Sequence, residues 1–523
     1  MNTPVLADQG PTGPERPGVA PPGRSVAPDR PSRSVRAQLA AFILRLHFYA
    51  GMAVGPFVLV AALTGAAYAV APTLESMVYR DLITVDAVDA PMPLSEQVAA
   101  AQRDHPGLEV SQVWPAQEQT DSTRVLFTDP ANPDDNPLAV FVDPADGGIL
   151  GAEPTYSGLG ELPLRRWISE LHESLHLGDP GEVYSELAAS WLWVIALGGV
   201  WLWWRRVHTA RLRARRDGAT TRPRMLGGIP GAPAGRRGAR RRAMNLHAVT
   251  GAWLFVAVLG LSATGITWSH FAGQNVDSMV TAMKWKATPI ETDLGAQGGE
   301  AGGAHAGHEG HGGAEPEGTP VSADTVSSQI ERVIATARQQ HLTGELIARV
   351  PSEQGKAWQV SERWVPWRLT SDAVSINGST GGLVDRQDFA DLPLFSKLRA
   401  WGIYLHMGIM FGLPLQIVLF VVGLGIALIT VQGYRMWWCR RPTRGSRSLA
   451  GVPGLPAGLT RDALSVYAMA AMFALTVGVF LPTVGVSLAA FVLLDAVLAL
   501  RAGSRNRRTC SASISSDSVR GQQ

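Results

Sequence analysis

The chain contains itself twice, and the copies agree best at histidines beside apolar runs. At an offset of 200 residues, Leu46, His47 and Gly51 return as Leu246, His247 and Gly251, and Thr64-Gly65 returns as Thr264-Gly265. At an offset of 234, Arg165, Trp167, Leu171-His172, Gly178 and Pro180 return as Arg399, Trp401, Leu405-His406, Gly412 and Pro414. The same register carries Trp203-Trp204 onto Trp437-Trp438. Each half therefore offers one histidine at the start of each of two apolar runs.

Those runs lie at about 48–72, 186–204, 248–270 and 407–431, with two shorter ones near 463–481 and 484–500 separated by Pro482. Roughly 20 apolar residues cross a bilayer core. The fold class expected is an α-helical integral membrane protein with six spans: a duplicated four-helix core and a C-terminal hairpin, the hairpin alternatively forming one re-entrant element. The net charge of +2 hides a strong segregation. Residues 205–243 hold thirteen Arg and one acid, and 435–448 hold five Arg and none. The loop 73–186 holds five Arg and twenty-one acids, and 272–396 holds nine basic and sixteen acidic residues. By the positive-inside rule the basic segments are cytoplasmic and the acidic loops external. Both termini are then cytoplasmic, in a multi-pass protein of the cytoplasmic (inner) membrane.

The expected layout follows. A disordered tail (1–38), without the apolar core of a signal peptide, precedes a first span within 40–72. An external module (73–164), an approach helix with span two (165–206) and a basic loop (207–243) come next. Span three (244–271), a linker (272–320) and a second external module (321–396) lead to an approach helix with span four (397–438). A loop (439–460), the hairpin (461–501) and a tail (502–523) close the chain. Each module reads as one helix and three strands: Leu94–Arg103 with Val110–Trp114, Arg124–Thr128 and Leu138–Val142, and Ala323–Gln340 with Glu345–Val350, Ala357–Ser361 and Val374–Ile376. Each ends in a Gly-rich turn, at 143–148 and 377–382, of residues that tolerate positive φ. The change of offset places a net insertion of 34 residues between span three and the second module, with the Gly-rich segment at about 291–320 as the candidate. Its His305, His308 and His311 suit weak Cu or Zn binding; as a bare linker their spacing is incidental. The two cysteines, Cys439 and Cys510, fall on the cytoplasmic side, and no C-x-x-C-H motif is present, so any haem is held non-covalently.

Ionisable residues at membrane spans are costly and mark function. His47 and His247 open spans one and three; Gly51 and Gly251, four residues on, leave room on the same helix face for a planar group. His172 and His406 precede spans two and four. Imidazole is an axial ligand of haem iron. One ligand from each repeat would hold a haem on the pseudo-two-fold axis, which pairs His47 with His247 and His172 with His406. Without such a group, these histidines are interfacial residues or helix caps. His176, one turn after His172, and His270, at the end of span three, are alternates. Arg165, Arg166 and Arg399 are placed for haem propionates or an anionic substrate, or are solvated charges. The Trp pairs are interfacial anchors. Asp495, inside the sixth run, has no evident partner. No Walker A loop or dinucleotide fingerprint is present, and no nucleic-acid partner is expected.

Several pieces resemble the PepSY-associated transmembrane helix family: Leu46-His-Phe-Tyr-Ala-Gly51, Glu170-Leu-His-Glu-Ser-Leu-His-Leu-Gly178, Leu246-His-Ala-Val-Thr-Gly251, and Leu405-His-Met-Gly-Ile-Met-Phe-Gly-Leu-Pro414. The span ends Trp-Trp-Arg-Arg206 and Trp-Trp-Cys-Arg-Arg441 match too, as do the module ends 140–148 and 376–382, which look like the closing strand and turn of PepSY domains. The resemblance covers about residues 40–441; the hairpin and the His-rich insertion fall outside it. It implies b-type haems between the helices and transmembrane electron transfer to an external acceptor such as a ferric siderophore; the two histidine pairs would make the haems two, fed by a cytoplasmic donor or quinol. A non-enzymatic metal-uptake or sensory protein, its modules binding an external partner, is the alternative.

Overall fold

A computed structural model describes residues 34–130, 136–219, 222–230, 235–295, 321–440, 453 and 460–520. Most of the expected N-terminal tail, and His305, His308 and His311, lie outside the described residues.

Helix α1 (Val35–Ala53) carries His47 and gives way to α2 (Gly55–Val78). The sequence predicts one continuous span here, and the break has a local cause. Pro56 has no amide hydrogen, so the Met52 carbonyl loses its helical donor. The Tyr434 hydroxyl donates to that carbonyl instead, at 2.9 Å. Gly55 admits the tyrosine, since a Cβ there would lie 3.0 Å from its oxygen.

After α2 the chain forms α3 (Arg80–Ile83), α4 (Leu94–Asp104), and strands β1 (Glu109–Trp114), β2 (Thr123–Thr128), β3 (Leu138–Val142) and β4 (Ile149–Pro154). It returns through α5 (Pro163–Glu173), α6 (Asp179–Arg216), α7 (Gly235–Trp268) and α8 (His270–Ala282). A second sheet segment follows: α9 (Ala323–Gln339), β5 (Leu346–Arg349), β6 (Trp358–Glu362), β7 (Ala373–Ile376) and β8 (Leu383–Gln387). Helices α10 (Leu394–His406), α11 (Leu413–Trp438), α12 (Arg461–Phe480) and α13 (Pro482–Arg520) complete the described chain.

Among the described residues, six helices are long and apolar enough to cross a membrane: α2, α6, α7 from Gly238, α11, α12 and α13 as far as Arg501. Four of them close a ring, with α2 on α11, α11 on α7, α7 on α6 and α6 on α2. The hairpin α12–α13 packs outside this ring on α1 and α6. Asp495 explains how it is fixed there. Its carboxylate accepts from Arg45 Nε at 2.8 Å and Nη2 at 2.7 Å, and from the Tyr467 hydroxyl at 2.7 Å. Arg45 and Asp495 are only 4% and 3% exposed, so each charge depends on the other.

Beyond the bundle lies one antiparallel sheet of eight strands, ordered β4-β3-β2-β1-β5-β6-β7-β8. This corrects the expectation of two separate three-stranded modules. Each contributes four strands, and the two join where β1 pairs β5, Gln112 opposite Arg349 and Val113 opposite Ala348. Strands β4 and β8 are edges with Gly, Pro and charges, so they lack the alternating apolar pattern that marks a strand in sequence. Helices α4 and α9 cover one face around Phe127, Ile330 and Trp358. The other face, with Trp114, Phe141 and Leu162, packs on Tyr79, Leu82 and Ile83, which tie the sheet to α2.

Candidate functional site

Two histidine pairs meet inside the bundle. His47 from α1 faces His247 from α7 with ring centres 6.2 Å apart. Nearer the sheet, His172 from α5 faces His406 from α10 at 6.4 Å. Both pairings are those the repeat predicts.

Short helices place the sheet-side pair. Gly178 (φ 60°, ψ −140°) and Gly412 (φ 58°, ψ −142°) hold the same backbone shape, which a side chain would strain. Pro180 and Pro414 then start α6 and α11, where a missing amide hydrogen costs nothing. The resulting fold-back lays α5 on α2. It is so close that a Cβ on Gly181 would lie 1.8 Å from the Ser174 carbonyl oxygen.

Every ring is oriented through its Nδ1. His47 Nδ1 lies 3.0 Å from the Ile195 carbonyl, and His247 Nδ1 lies 2.8 Å from the Ile429 carbonyl. A carbonyl only accepts, so both Nδ1 atoms carry the proton. His172 Nδ1 sits 3.0 Å from Thr64 Oγ1, and His406 Nδ1 sits 2.5 Å from Thr264 Oγ1. Each threonine gives its own proton to its helix backbone, so its oxygen accepts from the ring. In His47 and His247 Nε2 is then the bare nitrogen. Burial holds His172 and His406 below the usual value of 6.5, His406 down to about 3 with His172 as the lesser cause.

Glycines let the rings lie against helix backbone. A Cβ on Gly65 would come within 2.9 Å of His172 Cε1, and one on Gly199 within 2.8 Å of His47 Cε1. Gly51 and Gly251 face open space, with nothing within 4 Å of a Cβ there. Thr264 follows His247 by 17 residues on α7, so the two pairs stand about 25 Å apart along its axis.

The alternates stand elsewhere. His176 bonds Glu170 at 3.0 Å and packs on Trp167. His270 is half exposed and pairs with Glu182 at 3.3 Å. Neither faces another histidine. Arg166 is engaged by Glu170 and Glu173, and Arg399 lies 3.7 Å from Asp277. Arg165 is buried on Glu161 at 3.1 Å, with its Nε lacking a partner. The Glu161 carboxylate also accepts from Tyr68, whose ring stacks on His172 at 6.3 Å. This Tyr68–Glu161–Arg165 group escaped sequence reasoning for two reasons. Tyr68 lies 93 residues before Glu161, and the repeat puts Trp268 where the first half has Tyr68. Thr64 and Thr264 were visible as a repeated Thr-Gly pair, but nothing in sequence tied them to histidines. Of the Trp pairs, Trp203 is buried and donates to the Met225 carbonyl, while Trp204 and Trp438 are exposed.

Two facing imidazole pairs make a donor set suited to a metal group that already holds most of its own ligands. Two imidazoles on opposite sides of one metal ion at about 2.0–2.1 Å per bond would put their ring centres roughly 6.3 Å apart, and the ring-centre spacings of 6.2 and 6.4 Å are compatible with that arrangement. The fold and site define a multi-pass membrane protein with paired histidines beside its membrane-capable helices and a β-sheet domain. The chain belongs to the PepSY-associated TM region family, which it matches over residues 44–440. A comparison with curated proteins gives no match.

Proposed function

We propose that the chain is a membrane haem b protein that moves electrons across the cytoplasmic membrane to reduce an external ferric acceptor, a siderophore complex by family resemblance. The observation that carries this reading is the pair of facing histidine couples, each at metal-bridging spacing and each with Nδ1 committed elsewhere. Among the described residues no group of three or more His, Cys, Asp or Glu could hold a metal ion. A bare ion needs more donors than a pair supplies; a haem, which carries most of its own donor atoms, would need only the two imidazoles of a pair.

His47 with His247 would hold one haem, and His172 with His406 the other. When bound, haem supplies one-electron iron chemistry. The chain's own residues fix how it is held. Ile195, Ile429, Thr64 and Thr264 lock ring orientation and tautomer, which also makes Nε2 more basic. Gly51 and Gly251 keep the helix face beside the inner pair open. The apolar ring of α2, α6, α7 and α11 keeps water away. The basic segments put both termini and the inner pair towards the cytoplasm, where a reduced donor or quinol is available. The acidic sheet domain, formed of two PepSY modules, faces the acceptor. Internal duplication is supported by repetition of the contacts themselves, since Ile195 and Ile429 are 234 residues apart and Thr64 and Thr264 are 200 apart. One-electron reduction of Fe(III) weakens its hold on hard oxygen donors and so releases iron from a chelate.

Substitution of the ligands tests the assignment. His247→Ala removes one haem and leaves the other, and His406→Ala removes the complementary one. Full haem content in both variants would overturn it.

A further inference from the structure

The joint between the two halves of the sheet holds a polar cleft that the functional reading has not used. It opens where β1 ends, β2 begins and β6 runs into its following loop, with a volume of about 180 Å³. Residues of both modules line it, among them Trp114, Arg124, Glu345 and Arg363. Two guanidinium groups share one aromatic ring: Arg124 lies 5.6 Å and Arg363 5.4 Å from the centre of Trp114. Like charges are held together there by the ring's negative faces.

The two arginines differ in how they are satisfied. Arg363 is bound by Glu345 at 2.7 Å. Arg124 is partly buried between Trp114 and Phe141, and no described carboxylate or carbonyl accepts a hydrogen bond from it. Asp121, the other acid of the cleft, accepts from the Glu118 amide. Burial, and then the charge of Arg363, push the Arg124 guanidinium down to about 10. Glu75, Glu345 and Asp121 oppose that shift without a hydrogen bond to Arg124 among the described contacts, and a partly buried guanidinium beside a second one can receive a further anion.

The cleft also stands over the sheet-side histidines. Trp114 abuts Gly160, where a Cβ would lie 2.5 Å from the indole. Glu161 follows at once, bonded to the Tyr68 that stacks on His172. On the other module, Trp364 follows Arg363 and stacks on Tyr404 at 4.3 Å. Tyr404 precedes His406 by two residues on α10. The first route ends on the ring of His172, and the second reaches α10 two residues before His406.

We propose that this cleft binds a carboxylate group of an external ligand, with Arg124 as its main contact and Arg363 as the second. That the ligand is the electron acceptor rests on the function proposed above; the binding itself does not. The small volume suits one carboxylate-bearing arm, with the rest of a larger chelate outside. Arg124 and Trp114 come from the first module and Arg363 from the second, so the joined sheet is what creates the site.

Citrate is the probe. Calorimetric titration of sodium citrate into the purified full-length protein at low salt should show saturable binding. Arg124→Gln and Arg363→Gln should each weaken it about tenfold or more, while Arg103→Gln, on the exposed side of α4, should not. If Arg124→Gln does not fold, because Arg124 also packs on Phe141, Arg363→Gln decides. Absent saturable binding to the wild type, or equal binding by both cleft variants, would overturn the proposal. Haem content of the same samples separates the two ideas. Binding by a protein that never takes up haem refutes the electron-transfer reading and keeps the cleft. A haem-loaded protein without binding does the reverse.

Discussion

Asp495→Leu should be among the most damaging single changes outside the histidine pairs. It leaves the Arg45 guanidinium, 4% exposed, with neither of its carboxylate contacts at 2.8 and 2.7 Å. Breaking a buried ion pair by removing one partner costs about 3–5 kcal/mol, because the other charge stays buried. Tyr467 also loses its acceptor, worth a further ~1 kcal/mol. Removing both charges in Arg45→Leu/Asp495→Leu should restore most of that, since apolar replacements of buried pairs are often neutral or better. The assay is denaturant unfolding of the detergent-solubilised protein, run as a double-mutant cycle. Arg45 lies two residues before His47 on α1, so haem at the inner pair should fall in the single variant and recover in the double. A single variant costing under about 1 kcal/mol, or a double variant as unstable as the single, would refute the reasoning.

Three further outcomes follow from the geometry. Thr64→Val removes the acceptor of the His172 Nδ1 proton and should weaken haem retention at the sheet-side pair about 10- to 100-fold, read by haem loss during dilution; Gly65→Val, which sets a side chain 2.9 Å or nearer to that ring, should abolish the site. Glu362 is buried, which alone would raise its pKa, but the Gly344 amide, Arg368 and the Asp372 amide together hold it below the usual 4.5. Its contribution to the sheet domain is then present above pH 4.5 and lost as pH falls through the lower folded value, so Glu362→Gln should flatten the acid limb of a stability–pH curve. Deletion of 295–318 should leave haem content intact if that insertion is a linker.

Much of this was legible in the chain because repeats and hydropathy are properties of sequence. The six spans follow from apolar runs, and the four meeting histidines follow from offsets of 200 and 234. What escaped depends on contacts between distant segments. Asp495 looked unpartnered because Arg45 lies 450 residues away. The break between α1 and α2 follows from Pro56 but needs Tyr434 to stabilise it. Strands β4 and β8 were missed because an edge strand has only one neighbour and needs no apolar face. Their neighbours were found because alternation survives wherever one face is buried. The joining of β1 to β5 left no trace, since backbone hydrogen bonds ask little of side chains.

The central claim is that two haems sit between these histidine pairs. A reduced-minus-oxidised visible spectrum of the detergent-purified protein, with a haem-to-protein ratio, tests it most directly. The account predicts two low-spin b-type haems per chain. A colourless protein from haem-replete cells would contradict it and turn the paired histidines into sites for some other ligand.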